Sequence, residues 1–194
     1  MERFPDDAME PTSKVDMGLI YTKTTTGAPL RGPPTTAERG DMMDAYYWPH
    51  HERLHLTTTQ ALERAGTALI LDLHSFPSAP LPTEASTVGI RLDICIGTDD
   101  FHTPPTLIDQ FRNAFSQAGL RVAVNDRFSG TIVPSNFFRS DPRVNSIMIE
   151  VNRHIYLDGD ETIKTLQFKP IRHSLQKYVA RAIAIFTPSA VINR

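Results

Sequence analysis

Three short stretches place chemistry-bearing side chains where apolar runs stop. Asp72-Leu73-His74-Ser75 closes the run Thr67–Leu73 (TALILDL). Glu150 interrupts Ser146–Val151 (SIMIEV) and is followed by Asn152 and Arg153, while Asn125 and Asp126 follow Leu120–Val124 (LRVAV). A carboxylate inside an apolar strand is expensive unless it is ion-paired or bound to a metal. Glu150 therefore has two readings: a structural ion pair with Arg153 or Arg143, or a carboxylate bound to a metal ion. His74 is similarly divided. Among apolar neighbours it reads as a hydrogen-bonded core histidine, whereas at a strand end it suits a zinc ligand, with Asp72 as partner to its imidazole. Residues two apart on a strand share a face but are seldom turned toward each other, so a direct Asp72–His74 contact is not the expected geometry.

Other motifs carry less. His51-Glu52-Arg53-Leu54-His55 matches H-E-x-x-H, the helical spacing that sets two imidazoles on one face with a glutamate as base. Arg53 within it and TTTQ after it mark an exposed face, and no third ligand follows at a familiar distance, so a chance match is preferred. No G-x-S-x-G elbow and no Gly-rich phosphate loop occurs. Cys95, the single cysteine, sits inside RLDICI and reads as an inert buried thiol.

The elements that must position these residues follow from periodicity. Residues 1–40 are rich in Pro, Thr and Gly and read as a loop-rich lead-in, with a strand-like patch at Met17–Tyr21. Asp41–Ala65 has helical spacing, with Pro49 as a kink and Gly66 as a C-cap. Thr67–Leu73 reads as a strand buried on both faces. Arg91–Ile96, Leu120–Val124 and Ser146–Val151 follow as strands, and Pro105–Ala118 as a helix. Asp160–Phe186 is expected to be helical in two parts, split at Pro170. Strands alternating with helices predict an α/β fold, a mixed and mostly parallel sheet with helices on both faces, in one domain over residues 1–194 with its core from residue 41. The chain has 20 Lys+Arg against 22 Asp+Glu, a net charge of −2, which argues against a nucleic-acid surface. No apolar run is long enough to span a membrane, the charged N-terminus is unlike a signal peptide, and one cysteine suits a reducing, cytoplasmic setting. Nothing in the pattern specifies an oligomeric state.

Taken in order, several blocks resemble the N-formylglutamate amidohydrolase (deformylase) family. They are ERFPDD at Glu2–Asp7, MGLIYTKTTTGAPLR, YYWPHHERL, LILDLHSFPSAPLP, DICIGTDDFHTPP, FSGTIVP, and VNSIMIEVNR running into EVNRHIYLD. The resemblance implies a fold like that of the zinc carboxypeptidases, with His74 as a zinc ligand and Glu150 as general base. It further implies hydrolysis of N-formyl-L-glutamate to formate and L-glutamate, a step of histidine degradation. A small dicarboxylate substrate calls for guanidinium forks, and the resemblance points to Arg3 and Arg153. The loop Phe128–Pro134 would form a pocket wall, with Gly130 permitting close backbone approach. The family's P-H-S-G-like motif and the acidic residue after it, which supply its other two ligands, would stand before Met1, and its asparagine before the arginine is Glu2 here. The resemblance thus implies an N-terminally truncated domain holding one protein ligand of three. The alternative it leaves is a non-catalytic remnant that binds small acidic ligands.

Overall fold

The computed structural model describes residues 18–80 and 91–186. Arg3 and the rest of ERFPDD lie outside the described residues. The chain divides into two compact units, one within Met1–Thr57 and Ala79–Gly89, the other within Thr58–Ser78 and Ile90–Arg194.

In the first unit Gly18–Ile20 form bends rather than the expected strand, and a lone bridge pairs Lys23 with Pro29. The first helix, α1 (Thr36–Met42), begins five residues before the Asp41 expected. Its start is fixed by a capping box: the Glu38 N–H donates to the Thr35 hydroxyl, and the Thr35 N–H donates to the Glu38 carboxylate at 2.8 Å. The helix then passes through a π-helical turn, Met43–Tyr47, into α2 (Trp48–Ala65). The Trp48 N–H reaches back to the Met43 carbonyl. That wider turn relieves the clash between the Pro49 ring and the carbonyl four residues earlier, so Pro49 widens the helix instead of breaking it. Gly66, at φ +72° with its N–H on the Leu62 carbonyl, ends α2 as expected.

The second unit holds a four-stranded sheet of β1 (Ala68–Phe76), β2 (Ile94–Gly97), β3 (Val122–Val124) and β4 (Val144–Asn152), in spatial order β1-β4-β2-β3. β1 runs parallel to β4 and β2 parallel to β3, while β4 and β2 are antiparallel. This is the mixed, mostly parallel sheet expected, with helices around it. Three details differ. β1 lies at the sheet edge, half-buried and exposed at Leu73–Ser75, not buried on both faces. β2 starts only at Ile94, although the Asp93 backbone still bonds Arg121 on one side and Asn152 on the other. The last helix, α4 (Phe168–Phe186), is unbroken, since Pro170 falls in its first turn, where a missing N–H has no cost.

Alternation along the strands divides the sheet cleanly. One face carries Leu69 and Leu71 of β1, Ile147, Ile149 and Val151 of β4, Ile94 and Ile96 of β2, and Val122 and Val124 of β3. Against it α3 (Pro105–Gln117) packs Leu107, Phe111 and Phe115, one helical face at four-residue spacing, and α4 adds Leu175, Tyr178, Val179 and Ala182. The opposite face carries the polar side chains.

Candidate functional site

Parallel pairing of β1 with β4 sets His74 directly beside Glu150, and the antiparallel pairing of β4 with β2 sets Cys95 on the other side of Glu150. His74, Glu150 and Cys95 therefore form one row on the face away from α3 and α4. The row lies near the carboxyl ends of β1 and β4, which is where α/β sheets present functional groups. Asn125 and Asp126 do not join it. β2 and β3 run against β4, so the carboxyl end of β3 lies at the far edge, where Asn125 accepts from the Thr98 N–H at 2.9 Å and donates to the Thr98 hydroxyl at 2.7 Å.

Glu150 is 8% exposed, and its Oε2 is buried with no hydrogen-bond partner. Burial pushes its carboxyl above the usual glutamate value of 4.5; the charge of Asp72 adds to the rise, while His74 and Arg153 oppose it. The structural ion pair considered from sequence is absent among the described residues. Arg143 is engaged by Asp141 at 2.7 Å, and Arg153 lies 3.5 Å from Glu161. Arg153 also donates to the Ser75 hydroxyl at 3.3 Å and the Ser75 carbonyl at 3.4 Å, tying the start of the next segment to the end of β1.

His74 is not a core histidine: its side chain is 51% exposed. Its Nε2 lies 2.6 Å from the Asp72 carboxylate, a direct contact that strand alternation alone does not predict. His74 is in the exposed stretch of β1 and Asp72 in the half-buried part just before it, on the same face of the strand. The buried histidine is instead His102, 1% exposed, with Nδ1–H donating to the Val144 carbonyl at 2.7 Å and Nε2 accepting the Arg139 N–H at 2.8 Å. Both its nitrogens are occupied by backbone, so its role is to tie loops together.

The loop after β3 crosses the polar face. The Cys95 thiol lies 3.5 Å from the Phe128 carbonyl, Ser146 donates to the Ile132 carbonyl at 2.7 Å, and the Gly130 N–H donates to the Thr98 carbonyl at 3.1 Å. Gly130 has φ +84°, a conformation that favours glycine. The close approach itself depends equally on Gly97, where a Cβ would lie 2.6 Å from the Gly130 carbonyl oxygen and would meet the Met148 side chain. Nothing in the sequence marks Gly97 for that role. The same holds for Arg91, 7% exposed with its guanidinium 5.0 Å from the centroid of the Phe76 ring, and for Asp93, which accepts from the Arg121 backbone N–H and guanidinium. The apolar context of RLDICI masks both polar residues.

His74, with one imidazole nitrogen on a carboxylate and the other available, fits as a metal ligand, and the partnerless Glu150 oxygen beside it fits a base facing a cation. Among the described residues no group of three or more His, Cys, Asp or Glu side chains could hold a metal by itself. His51 and His55 do share a face of α2, but His51 is packed on Tyr47 with ring centroids 4.0 Å apart and Glu52 is exposed. A separate pocket of about 600 Å³ in the first unit is lined by residues such as Tyr21, Met43 and Tyr47, with no carboxylate among its described lining residues. No helix among the described residues is long and apolar enough to cross a membrane.

Fold and edge together define a mixed-sheet α/β protein whose candidate chemistry lies on one face, at the carboxyl ends of β1 and β4. The chain belongs to the N-formylglutamate amidohydrolase family, whose model matches residues 1–157. Its fold is similar to the crystal structure of N-formylglutamate amidohydrolase from Ralstonia eutropha JMP134, with a TM-score of 0.77 and 24% identity over 95% of this chain. It is also similar to a gene product of Agrobacterium tumefaciens, with a TM-score of 0.59 and 19% identity over 86% of this chain. The chain spans 65% and 62% of the length of those two structures. No curated protein matches the sequence.

Proposed function

We propose that this chain carries the catalytic edge of a zinc-dependent amidohydrolase that cleaves the formamide bond of N-formyl-L-glutamate to formate and L-glutamate, as in histidine degradation. The observation that carries the reading is the register of β1 on β4, which sets His74 beside a buried Glu150 oxygen that nothing in the described structure satisfies. In a family whose description is amidohydrolysis, that pair has the chemistry of a metal ligand and a general base. His74 would hold the ion through Nδ1, alongside donors from outside the described residues. When bound, zinc supplies a Lewis acid that polarises an acyl oxygen and lowers the pKa of water from 15.7 to about 7.

Glu150 carries the proton. Its Oε2 takes one from the attacking water as the C–O bond forms, and returns it to the amide nitrogen as the C–N bond breaks, leaving a free amine and formic acid, which ionises to formate. A carboxyl lifted above the ordinary glutamate value is better matched to that exchange near neutral pH than a solvated one. Cys95 and the Phe128 carbonyl close one side of the base against water. Arg3 and Arg153 are the arginines assigned to the two substrate carboxylates, and Gly130 to the wall formed by the loop Phe128–Pro134. For Arg153 the Ser75 and Glu161 contacts make positioning of the β1 terminus part of the same role.

The test is Glu150→Gln. Turnover of N-formyl-L-glutamate is expected to fall by ~10²–10⁴-fold with zinc content unchanged. Near-normal turnover would overturn the assignment. The second reading, a remnant that binds small acidic ligands without hydrolysing them, draws on the lack, among the described residues, of any group of three or more side chains able to hold a metal. Stoichiometric zinc in the purified chain, lost on His74→Ala, would count against it.

A further inference from the structure

The contact between Asp72 and His74 decides more than the orientation of one ring. We infer that Asp72 is a positioning residue that fixes His74 in the Nε2–H tautomer and thereby selects Nδ1 as its metal-binding nitrogen. The inference rests on the reading of His74 as a ligand. A carboxylate oxygen 2.6 Å from Nε2 can only accept, so the proton of a neutral imidazole is held on Nε2 and the lone pair is left on Nδ1. The other groups at this edge are already committed. Arg153 is engaged by Ser75 and Glu161, and Asp93 by Arg121 and His154, so Asp72 is the carboxylate that the β1 strand itself brings to the ring.

The surroundings explain why such a device is needed. His74 lies on the outermost of the described strands, half-exposed, with Leu73 61% exposed and Ser75 exposed on either side. Among the described residues the hydrogen bond of this ring is the one to Asp72, unlike His102, whose two nitrogens are both pinned by backbone groups. A free ring would divide its time among rotamers and between tautomers, and only part of that population would present a lone pair beside Glu150. An aspartate two residues earlier on the same face supplies the missing restraint from within the strand. The negative charge also raises the donor strength of the ligating nitrogen.

The experiment compares wild type, Asp72→Asn and Asp72→Ala. In metal-free, chelator-treated protein at pH 8.5, nitrogen-edited NMR of the His74 ring should show the Nε2–H tautomer in wild type and a mixture of tautomers in Asp72→Ala. Asp72→Asn, which keeps the shape with a neutral acceptor, should fall between them. Zinc affinity measured by chelator competition should drop about 10–100-fold in Asp72→Ala, and the melting temperature of the metal-free variant separates that loss from a loss of folding. An unaltered tautomer in Asp72→Ala, or zinc affinity within twofold of wild type, would overturn the inference. Zinc binding that survives His74→Ala while the tautomer still depends on Asp72 would instead sink the reading of His74 as a ligand and leave the Asp72 restraint standing.

Discussion

On one face of the sheet Ile94, Ile96 and Ile147 are fully buried under α3 and α4, and Ile149 is 1% exposed. On the other face the same strands bear Asp72, His74, Ser146, Glu150 and Cys95. The first face is satisfied chiefly by packing, with Asn145 at its margin donating to the Ala68 and Arg143 carbonyls. The second is satisfied piecemeal, Ser146 by the loop at Ile132 and Asp72 by His74, and at Glu150 Oε2 no described residue satisfies it. The two faces alternate residue by residue along β4, so a single strand serves both purposes. Stability is concentrated on one face, and the other departs from the rules of a stable interior at the residue proposed for chemistry. Such departures are expected at functional sites.

The comparison is broken most severely from the packed side. Phe111 is fully buried in the core beside Phe115, with ring centroids 6.0 Å apart. Phe111→Ala should destabilise by about 3–5 kcal/mol through lost transfer energy and an unfilled cavity. Urea unfolding followed by circular dichroism should show a lower midpoint at unchanged slope. A loss below about 1 kcal/mol would mean that α3 does not anchor this face.

An intermediate effect comes from the edge where the faces meet the solvent. Asp93 leads into β2 and holds Arg121 by its backbone N–H and guanidinium, with His154 at 3.1 Å. Burial alone would raise its carboxyl, but the hydrogen bonds and charge of Arg121, with His154, outweigh burial and hold it below the ordinary 3.8. A depressed carboxyl stabilises the fold above its unfolded value and loses that contribution as pH falls through the lower folded value. Asp93→Asn should therefore cost about 1–2 kcal/mol at pH 7. The gap between variant and wild type should close as the solution is acidified below 3.8. A gap of the same size at pH 7 and pH 2 would refute the electrostatic origin and leave only a steric one.

The packed face is largely legible in the sequence, because an apolar run such as SIMIEV or a four-residue spacing such as Leu107–Phe111–Phe115 states its own burial. The polar face is legible only in part. Glu150 and His74 stand out as polar residues in apolar runs, and the register confirms their adjacency. What alternation does not convey is direction and partner. Asn125–Asp126 end a strand like the other two, but the antiparallel β4–β2 pairing puts them at the wrong edge. His74 and His102 are equivalent as letters; only burial separates the exposed ring on a carboxylate from the one pinned by Val144 and Arg139. Gly97 is silent because the atoms it makes room for, at Gly130 and Met148, lie far along the chain. Two signals are local and were open to a closer reading: Thr35 with Glu38 as a capping box, and Pro170 as a first-turn residue rather than a break.

The smallest expected change in stability is the one that bears most directly on the difference between the faces. If Glu150 is kept for chemistry at a cost to folding, Glu150→Gln should not destabilise the metal-free protein. A carboxyl raised above 4.5 binds its proton more tightly in the fold than in the unfolded chain. Ionising it therefore costs folding free energy, and that cost appears as pH rises past 4.5 and is complete above the raised value. Glutamine cannot ionise, so the variant's stability relative to wild type should climb over that interval and remain higher at pH 8. Thermal melts across pH 4–8 with chelator present would show it. A Glu150→Gln variant that melts below wild type throughout that range would mean that the Glu150 carboxylate is a structural asset, and the asymmetry between the two faces would have to be sought in loop packing instead of in this side chain.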